Sequence, residues 1–241
     1  MKAVILAAGN GSRLAPLTSH CPKPLLKVRG RPLIDYTIES LAHAGIREII
    51  VVVGYLGHKI EAWLGSNPRH GARVTAVFNP DYEAGNATSL LVARELLEDQ
   101  SFVLAMSDHL VEPNMVAALL ATDIRHNWLC VDRAPKAAPQ VNDATKVFVS
   151  ISGLIKDIGK KLKRWNAVDT GLFLLHSPVF EAIEATASHE LDRRTISRAM
   201  KWLIDYGPGL GACDVSGSSW LDVDTPEDLA YAEANLKRVG L

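Results

Sequence analysis

Arg13, Lys23, Asp108, Asp222 and Asp224 are the residues of this chain whose types and settings can do chemistry together. Arg13 follows Gly9-Asn10-Gly11-Ser12, which ends an apolar run that starts at Ala3. A buried strand that empties into a Gly-rich turn exposes backbone N–H groups at a sheet edge, where anions bind. A guanidinium fork and an ammonium point charge are suited to holding a triphosphate and a second phosphate. Pro22 and Pro24 flank Lys23 and hold it in an extended segment at small entropic cost. The glycine segment is not a dinucleotide fingerprint, because Leu14 stands where the third glycine would be, and it is not a P-loop. On these residues alone a plain strand-to-loop turn remains the alternative.

The acids come from two distant places. Asp108 directly follows an apolar strand at 102–106, and the carboxyl end of a parallel strand is where such sheets bind ligands. A turn-forming aspartate is the plainer reading, and His109 reads as a satisfied loop histidine. Asp222 and Asp224 alternate along an extended segment, so both can point to one face. The run from Asp224 to Asp228 also reads as helix-start chemistry. Two carboxylates far apart in sequence suit one hard cation, and Mg²⁺ takes one or two carboxylates plus phosphate oxygens. Asn86, at the start of a helix, reads as an N-cap.

Elements that would position these groups follow from hydrophobic patterning. Continuous apolar runs at 3–8, 48–53 and 102–106, with a further strand at 73–78, alternate with helices at 32–44, 58–64 and 87–97. That alternation predicts a parallel sheet with helices on both faces. After about Trp128 the pattern changes to strands at 146–150, 154–158, 167–175 and 211–215, with helices at 178–185 and 194–206. Thr225-Pro226-Glu227-Asp228 starts a last helix with an N-cap, a proline at N1 and acids in the first turn. The expectation is one domain over 1–241, with a nucleotide-handling half (1–127) that carries the Gly-rich loop and a second half (128–241) that elaborates it.

Bulk properties narrow the class. With 241 residues, 48% of them hydrophobic and 22% charged, the chain can bury a full core. Its net charge of −1 argues against a general nucleic-acid binder. No stretch approaches the about 20 apolar residues of a membrane span. Cys21, Cys130 and Cys213 have no metal-binding spacing and read as reduced buried thiols of a cytoplasmic protein.

The order Leu6-Ala7-Ala8-Gly9-x-Gly11-x-Arg13, Pro16-Leu17-Thr18, Pro22-Lys23-Pro24-Leu25 and Gly30-x-Pro32-Leu33-Ile34 resembles the signature of the sugar-phosphate nucleotidyltransferase superfamily. The resemblance implies a Rossmann-like three-layer α/β/α fold with a mixed, mostly parallel central sheet. It implies a glycine loop wrapped on a nucleotide, Arg13 on its phosphates and Lys23 on the attacking phosphate. It implies Mg²⁺ on Asp108 and on Asp222 or Asp224, with Asp222 slightly favoured. Asn86 and Ser89 would line the base pocket. The order Val131-Asp132-Arg133, Asp143-Ala144-Thr145-Lys146-Val147, Asp157-Ile158-Gly159-Lys160 and Ala167-Val168-Asp169-Thr170-Gly171-Leu172-Phe173 resembles the CTP:inositol-1-phosphate cytidylyltransferases. That implies CTP and inositol 1-phosphate as substrates and CDP-inositol as product, with a functional link to a membrane CDP-alcohol phosphotransferase. Asp169, Thr170 and Gly171 would meet the polyol, and Lys146 and Lys160 its phosphate, although both lysines also read as solvated strand-edge residues. Phosphocholine or a sugar 1-phosphate is the alternative substrate, with Trp165, Trp220, Tyr36 and Tyr82 available for an aromatic cage. A non-catalytic nucleotide-binding regulator is the alternative from another class.

Overall fold

The computed structural model describes residues 1–66, 71–135, 141, 144–186 and 194–236. Asp143 and the 188–192 stretch lie outside the described residues. The strands are β1 (Lys2–Ala7), β2 (Lys27–Val28), β3 (Arg31–Pro32), β4 (Glu48–Val53), β5 (Arg73–Phe78), β6 (Phe102–Met106), β7 (His109–Val111), β8 (Trp128–Asp132), β9 (Lys146–Val149), β10 (Ile155–Gly159), β11 (Ala167–Leu175), β12 (Gly211–Asp214) and β13 (Trp220–Asp222). The helices are α1 (Leu33–His43), α2 (Gly57–Ser66), α3 (Asn86–Val92), α4 (Arg94–Leu97), α5 (Pro113–Leu120), α6 (Pro178–Ala185), α7 (Ile196–Asp205) and α8 (Pro226–Asn235).

Side-chain alternation along β1 shows why its apolar run is continuous. Val4 and Leu6 enter one core, and Ala3, Ile5 and Ala7 enter another on the opposite face. β4 does the same, with Ile50 and Val52 on one side and Ile49, Val51 and Val53 on the other. A strand buried on both faces has no polar side, which is the mark of a sheet covered by helices. α3, α6 and α7 supply Leu90, Phe180 and Leu203 to the first core. α1, α2 and α5 supply Ile38, Ile60 and Val116 to the second. A third, smaller core gathers Leu14, Val28, Leu33, Leu221 and Ala232 beneath the loop that follows β1.

β5, β4, β1 and β6 are parallel neighbours, and β11 lies antiparallel against β6. β11 turns its first residues to β9 and its last to β6, with β8 along its other side. The result is a mixed sheet of nine strands among the described residues, the middle of three layers between helices on both faces. Because β11 runs against β6, its N-terminal end meets the C-terminal ends of β1 and β6 on one sheet edge. That edge receives Ala8, Asp108 and Asp169 from three different strands.

The structure also adds elements that patterning did not show. β7 and β13 pair antiparallel outside the main sheet, with Asp222 opposite His109. The helix expected at 87–97 divides at Ala93, whose N–H bonds the carbonyl of Leu90. Thr225 caps α8 through a reciprocal pair with Asp228. Cys130 and Cys213 are buried, whereas Cys21 is half-buried. No helix among the described residues is long and apolar enough to cross a membrane.

Candidate active site

The loop after β1 folds back over the sheet edge in three short 3-10 turns, and the last of these carries Lys23. Gly11 makes this possible. It sits at φ 62°, and a Cβ there would lie 2.9 Å from the Lys23 Cβ. Thr18 Oγ1 donates to the Gly11 carbonyl at 3.0 Å and closes the loop on itself. Residues 6–13 thereby line one wall of a cleft of about 600 Å³, with Lys23, Asn86, Ser89, Asp108 and Asp224 around it.

A second cleft of about 390 Å³ adjoins the first. It is lined by His109, Thr145, Lys160, Asp169, Gly171, Trp220 and Asp222, with Thr195 and Ser197 from the start of α7. Arg13, Asn86, Asp108 and Asp224 line both clefts, so the charged groups stand at their junction.

Ion pairs at that junction are short and mostly buried. The Lys23 ammonium donates to Asp108 Oδ2 and to Asp224 Oδ1, each at 2.6 Å. Asp224 Oδ2 meets the Arg13 guanidinium at 2.6 Å. Burial opposes the Lys23 charge, but Asp108 and Asp224 outweigh it and hold the ammonium well above its usual range. Burial also works against the Asp108 charge, and there Lys23 and His109 prevail and hold the carboxyl below its usual range.

His109 is not the loop histidine that the sequence suggested. Its Nδ1 lies 2.8 Å from Asp108 Oδ1 and 3.7 Å from Asp222 Oδ1. Burial lowers its affinity for a proton, yet Asp222 and Asp108 together push its pKa up to about 10. Asp222 goes the other way from a normal carboxylate: burial, helped by Asp108 and Asp224, pushes it up to about 7. Asp222 Oδ1 is buried without a hydrogen-bond partner among the described residues. A buried oxygen left unpaired costs free energy. Asp108, His109 and Asp222 each offer one ligand atom, all within 4.8 Å of one another. An orphaned carboxylate oxygen beside a second carboxylate fits a hard divalent cation.

Lys146 and Thr170 stand away from the clefts where they were expected, and other expected residues line a cleft while also bonding within the protein. The Lys146 ammonium is buried and donates to the carbonyls of Val141 and Ala144, so it secures a loop and lines neither cleft. Thr170 is fully buried and donates to the Cys130 carbonyl. Asn86 is the first residue of α3 and does not cap it; its Oδ1 accepts from the Ile196 N–H at 2.9 Å. Ser89 Oγ accepts from Asn79 while still lining the first cleft. Asp169 accepts from the Gly171 N–H at 2.7 Å, and burial pushes its pKa up to about 6. Trp220 Nε1 donates to the buried Asp132, which gives the Val131-Asp132-Arg133 segment a supporting role. Tyr36 donates to the Val28 carbonyl away from the clefts. Thr195, Ser197 and Glu83 escaped the sequence reading, because nothing in their local sequence marks them as neighbours of Asp108.

A family described as nucleotidyl transferase matches residues 2–239. The chain belongs to that family. Among its curated relatives, the bifunctional IPC transferase and DIPP synthase of Rubrobacter xylanophilus is 39% identical over 96% of this chain and 51% of its own length. The protein of the same description from Aquifex aeolicus is 36% identical over 99% of this chain and 52% of its own length. The chain thus spans about half the length of these curated relatives. The solved inositol-1-phosphate CTP transferase from T. maritima superposes with a TM-score of 0.82 at 26% identity, covering 98% of this chain and 96% of that one. A UDP-glucose pyrophosphorylase complexed with UDP-glucose shares the fold, with a TM-score of 0.85 at 18% identity over 98% of both chains.

Proposed function

We propose that this nucleotidyltransferase moves CMP from CTP to inositol 1-phosphate, giving CDP-inositol and pyrophosphate. The observation that carries the reading is the junction itself. Arg13, Asp108 and Asp224 belong to both clefts, so a triphosphate in one cleft and a phosphate monoester in the other would meet there. The likeness to the inositol-1-phosphate CTP transferase supports this substrate pair.

In this mechanism a phosphate oxygen of inositol 1-phosphate attacks the α-phosphorus of CTP in line, and pyrophosphate leaves with the broken bond's electrons. The nucleophile is already anionic near neutral pH, so no general base is needed. The barrier is mainly charge repulsion and alignment. Lys23, held between Asp108 and Asp224, neutralises the attacking phosphate, and Arg13 holds the triphosphate. Asp108 and Asp222 would hold Mg²⁺, which supplies positive charge toward the phosphate oxygens. Asn86 and Ser89 line the cleft wall where the base would lie, and the residues around Asp169 would receive the polyol.

The second cleft favours a polyol over a quaternary ammonium. Thr145, Asp169, Thr195 and Ser197 offer hydrogen bonds, while its two large aromatic rings among the described residues, Trp220 and Phe173, are both buried and present little face to the cleft. An ammonium cage needs several aromatic faces. We infer that the activated product is passed to a membrane CDP-alcohol phosphotransferase. Pyrophosphate release with CTP, UTP, dTTP, ATP and GTP against inositol 1-phosphate, phosphocholine and hexose 1-phosphates tests the assignment. CTP with inositol 1-phosphate should give the fastest turnover. Rapid reaction of UTP with a hexose phosphate, and none with the inositol pair, overturns it.

A further inference from the structure

We propose that His109 is a third protein ligand of the divalent ion through Nδ1, so that the site prefers Mn²⁺ to Mg²⁺. This rests on the reading of Asp108 and Asp222 as ion ligands, and it concerns an adjacent residue which that reading leaves without a role.

The geometry selects His109 over Asp224. Both oxygens of Asp224 are held by cationic side chains, one by Lys23 and one by Arg13, whereas Asp108 gives only Oδ2 to Lys23 and turns Oδ1 to His109. The ligand atoms that come within 4.8 Å of one another belong instead to Asp108, His109 and Asp222. Nδ1 stands 2.8 Å from one carboxylate oxygen and 3.7 Å from another. Two ligands that each lie about 2.1 Å from an ion are separated by roughly 3.0–3.5 Å at the angles ions adopt. The spacings in the cluster bracket that range. The farther oxygen, Asp222 Oδ1, is also a buried atom with no hydrogen bond among the described residues.

The ring is held for the task. Antiparallel pairing of β7 with β13 sets His109 opposite Asp222. The imidazole lies parallel to the Trp220 indole, with centroids 6.5 Å apart and 8° between planes. Trp220 is fixed in turn by its 2.9 Å bond to Asp132. On the other side Gly171 leaves room, since a Cβ there would fall 2.5 Å from the imidazole. Ligands with a fixed ring plane bind metals best when surrounding groups set their orientation.

Chemistry gives the preference. Carboxylates and water suit Mg²⁺, which dehydrates reluctantly and keeps oxygen ligands. An imidazole nitrogen favours the first-row transition ions, of which Mn²⁺ also accepts carboxylates. The proton shared between Nδ1 and Asp108 leaves to solvent when an ion takes its place, as ligation requires.

Pulsed electron paramagnetic resonance of the full chain loaded with Mn²⁺, alone and with a non-hydrolysable CTP analogue, tests this without turnover. The expected spectrum shows coupling to a directly bound imidazole nitrogen. His109→Gln should abolish that coupling and shrink the Mn²⁺-over-Mg²⁺ affinity ratio by about tenfold or more. Circular dichroism checks that the variant folds, and the wild-type spectrum stands without it. Bound Mn²⁺ with no nitrogen coupling overturns the role of His109. Failure to bind Mn²⁺ in either form overturns the ion site itself. Neither outcome depends on which nucleotide or alcohol phosphate the protein uses.

Discussion

Lys23 has two carboxylates for partners, and this divides the work among the acids. Asp224 is tied to Lys23 and Arg13, whereas Asp222 keeps a buried oxygen with no hydrogen bond among the described residues. Asp222→Asn should therefore lower divalent-ion affinity by about tenfold or more. Asp224→Asn should leave that affinity within about threefold and lower turnover instead, because Arg13 and Lys23 lose a common anchor that fixes their orientation. Isothermal titration with Mn²⁺, beside turnover measurements, separates the two; a larger loss of ion affinity in Asp224→Asn would reverse the assignment. The sequence left this choice open for a physical reason. Alternation on an extended segment places both side chains on one face, but only the fold decides which of them Lys23 reaches. His109 was hidden in the same way, since Asp222 becomes its neighbour only through the pairing of β7 with β13.

Elements were legible in proportion to how continuously they are buried. β4 and β6 occupy the residues expected of them, because their apolar runs have no polar gap. β7 and β13 have three residues each, too few to show a period. β11 was legible as a strand but not as a bent one. Its pairing shifts between Asp169 and Phe173, and Gly171 in that irregularity sits at φ 75°. The Asp169 carboxylate accepts from the Gly171 N–H and stabilises the bend. Thus Gly171, expected to meet substrate, also shapes the strand and makes room for His109. Gly171→Ala should cost about 2 kcal/mol from the left-handed backbone alone. It should also displace the imidazole, because its Cβ would meet the ring at 2.5 Å. Urea unfolding and Mn²⁺ titration together check this. An unchanged midpoint with unchanged ion affinity would show that the bend tolerates a side chain.

Across the whole molecule, the two expected halves share one sheet through the pairing of β6 with β11, and bonds between the starts of α3 and α7 add a second tie. Ala87 N–H donates to the Arg194 carbonyl, and Arg194 N–H donates to that of Ala84. Asn86 adds the third bond, from the Ile196 N–H to its Oδ1. This places the start of α7, with Thr195 and Ser197, against the second cleft. The sequence showed both helices but not their contact, which spans 110 residues of chain. The Asn86 carbonyl oxygen holds α7. Under the proposed function its amide nitrogen, in the first cleft, would in addition donate to a cytosine edge. Asn86→Ala removes both, and should lose about 1 kcal/mol of stability together with nucleotide affinity. Asn86→Asp keeps the acceptor for Ile196 and loses the donor. Its unfolding midpoint should stay near wild type, while KM for CTP rises about tenfold. Thermal unfolding and CTP saturation curves give both readings on the same preparations. If Asn86→Asp loses stability without a change in KM, Asn86 serves the tie between the halves and the base is read by other residues of the cleft.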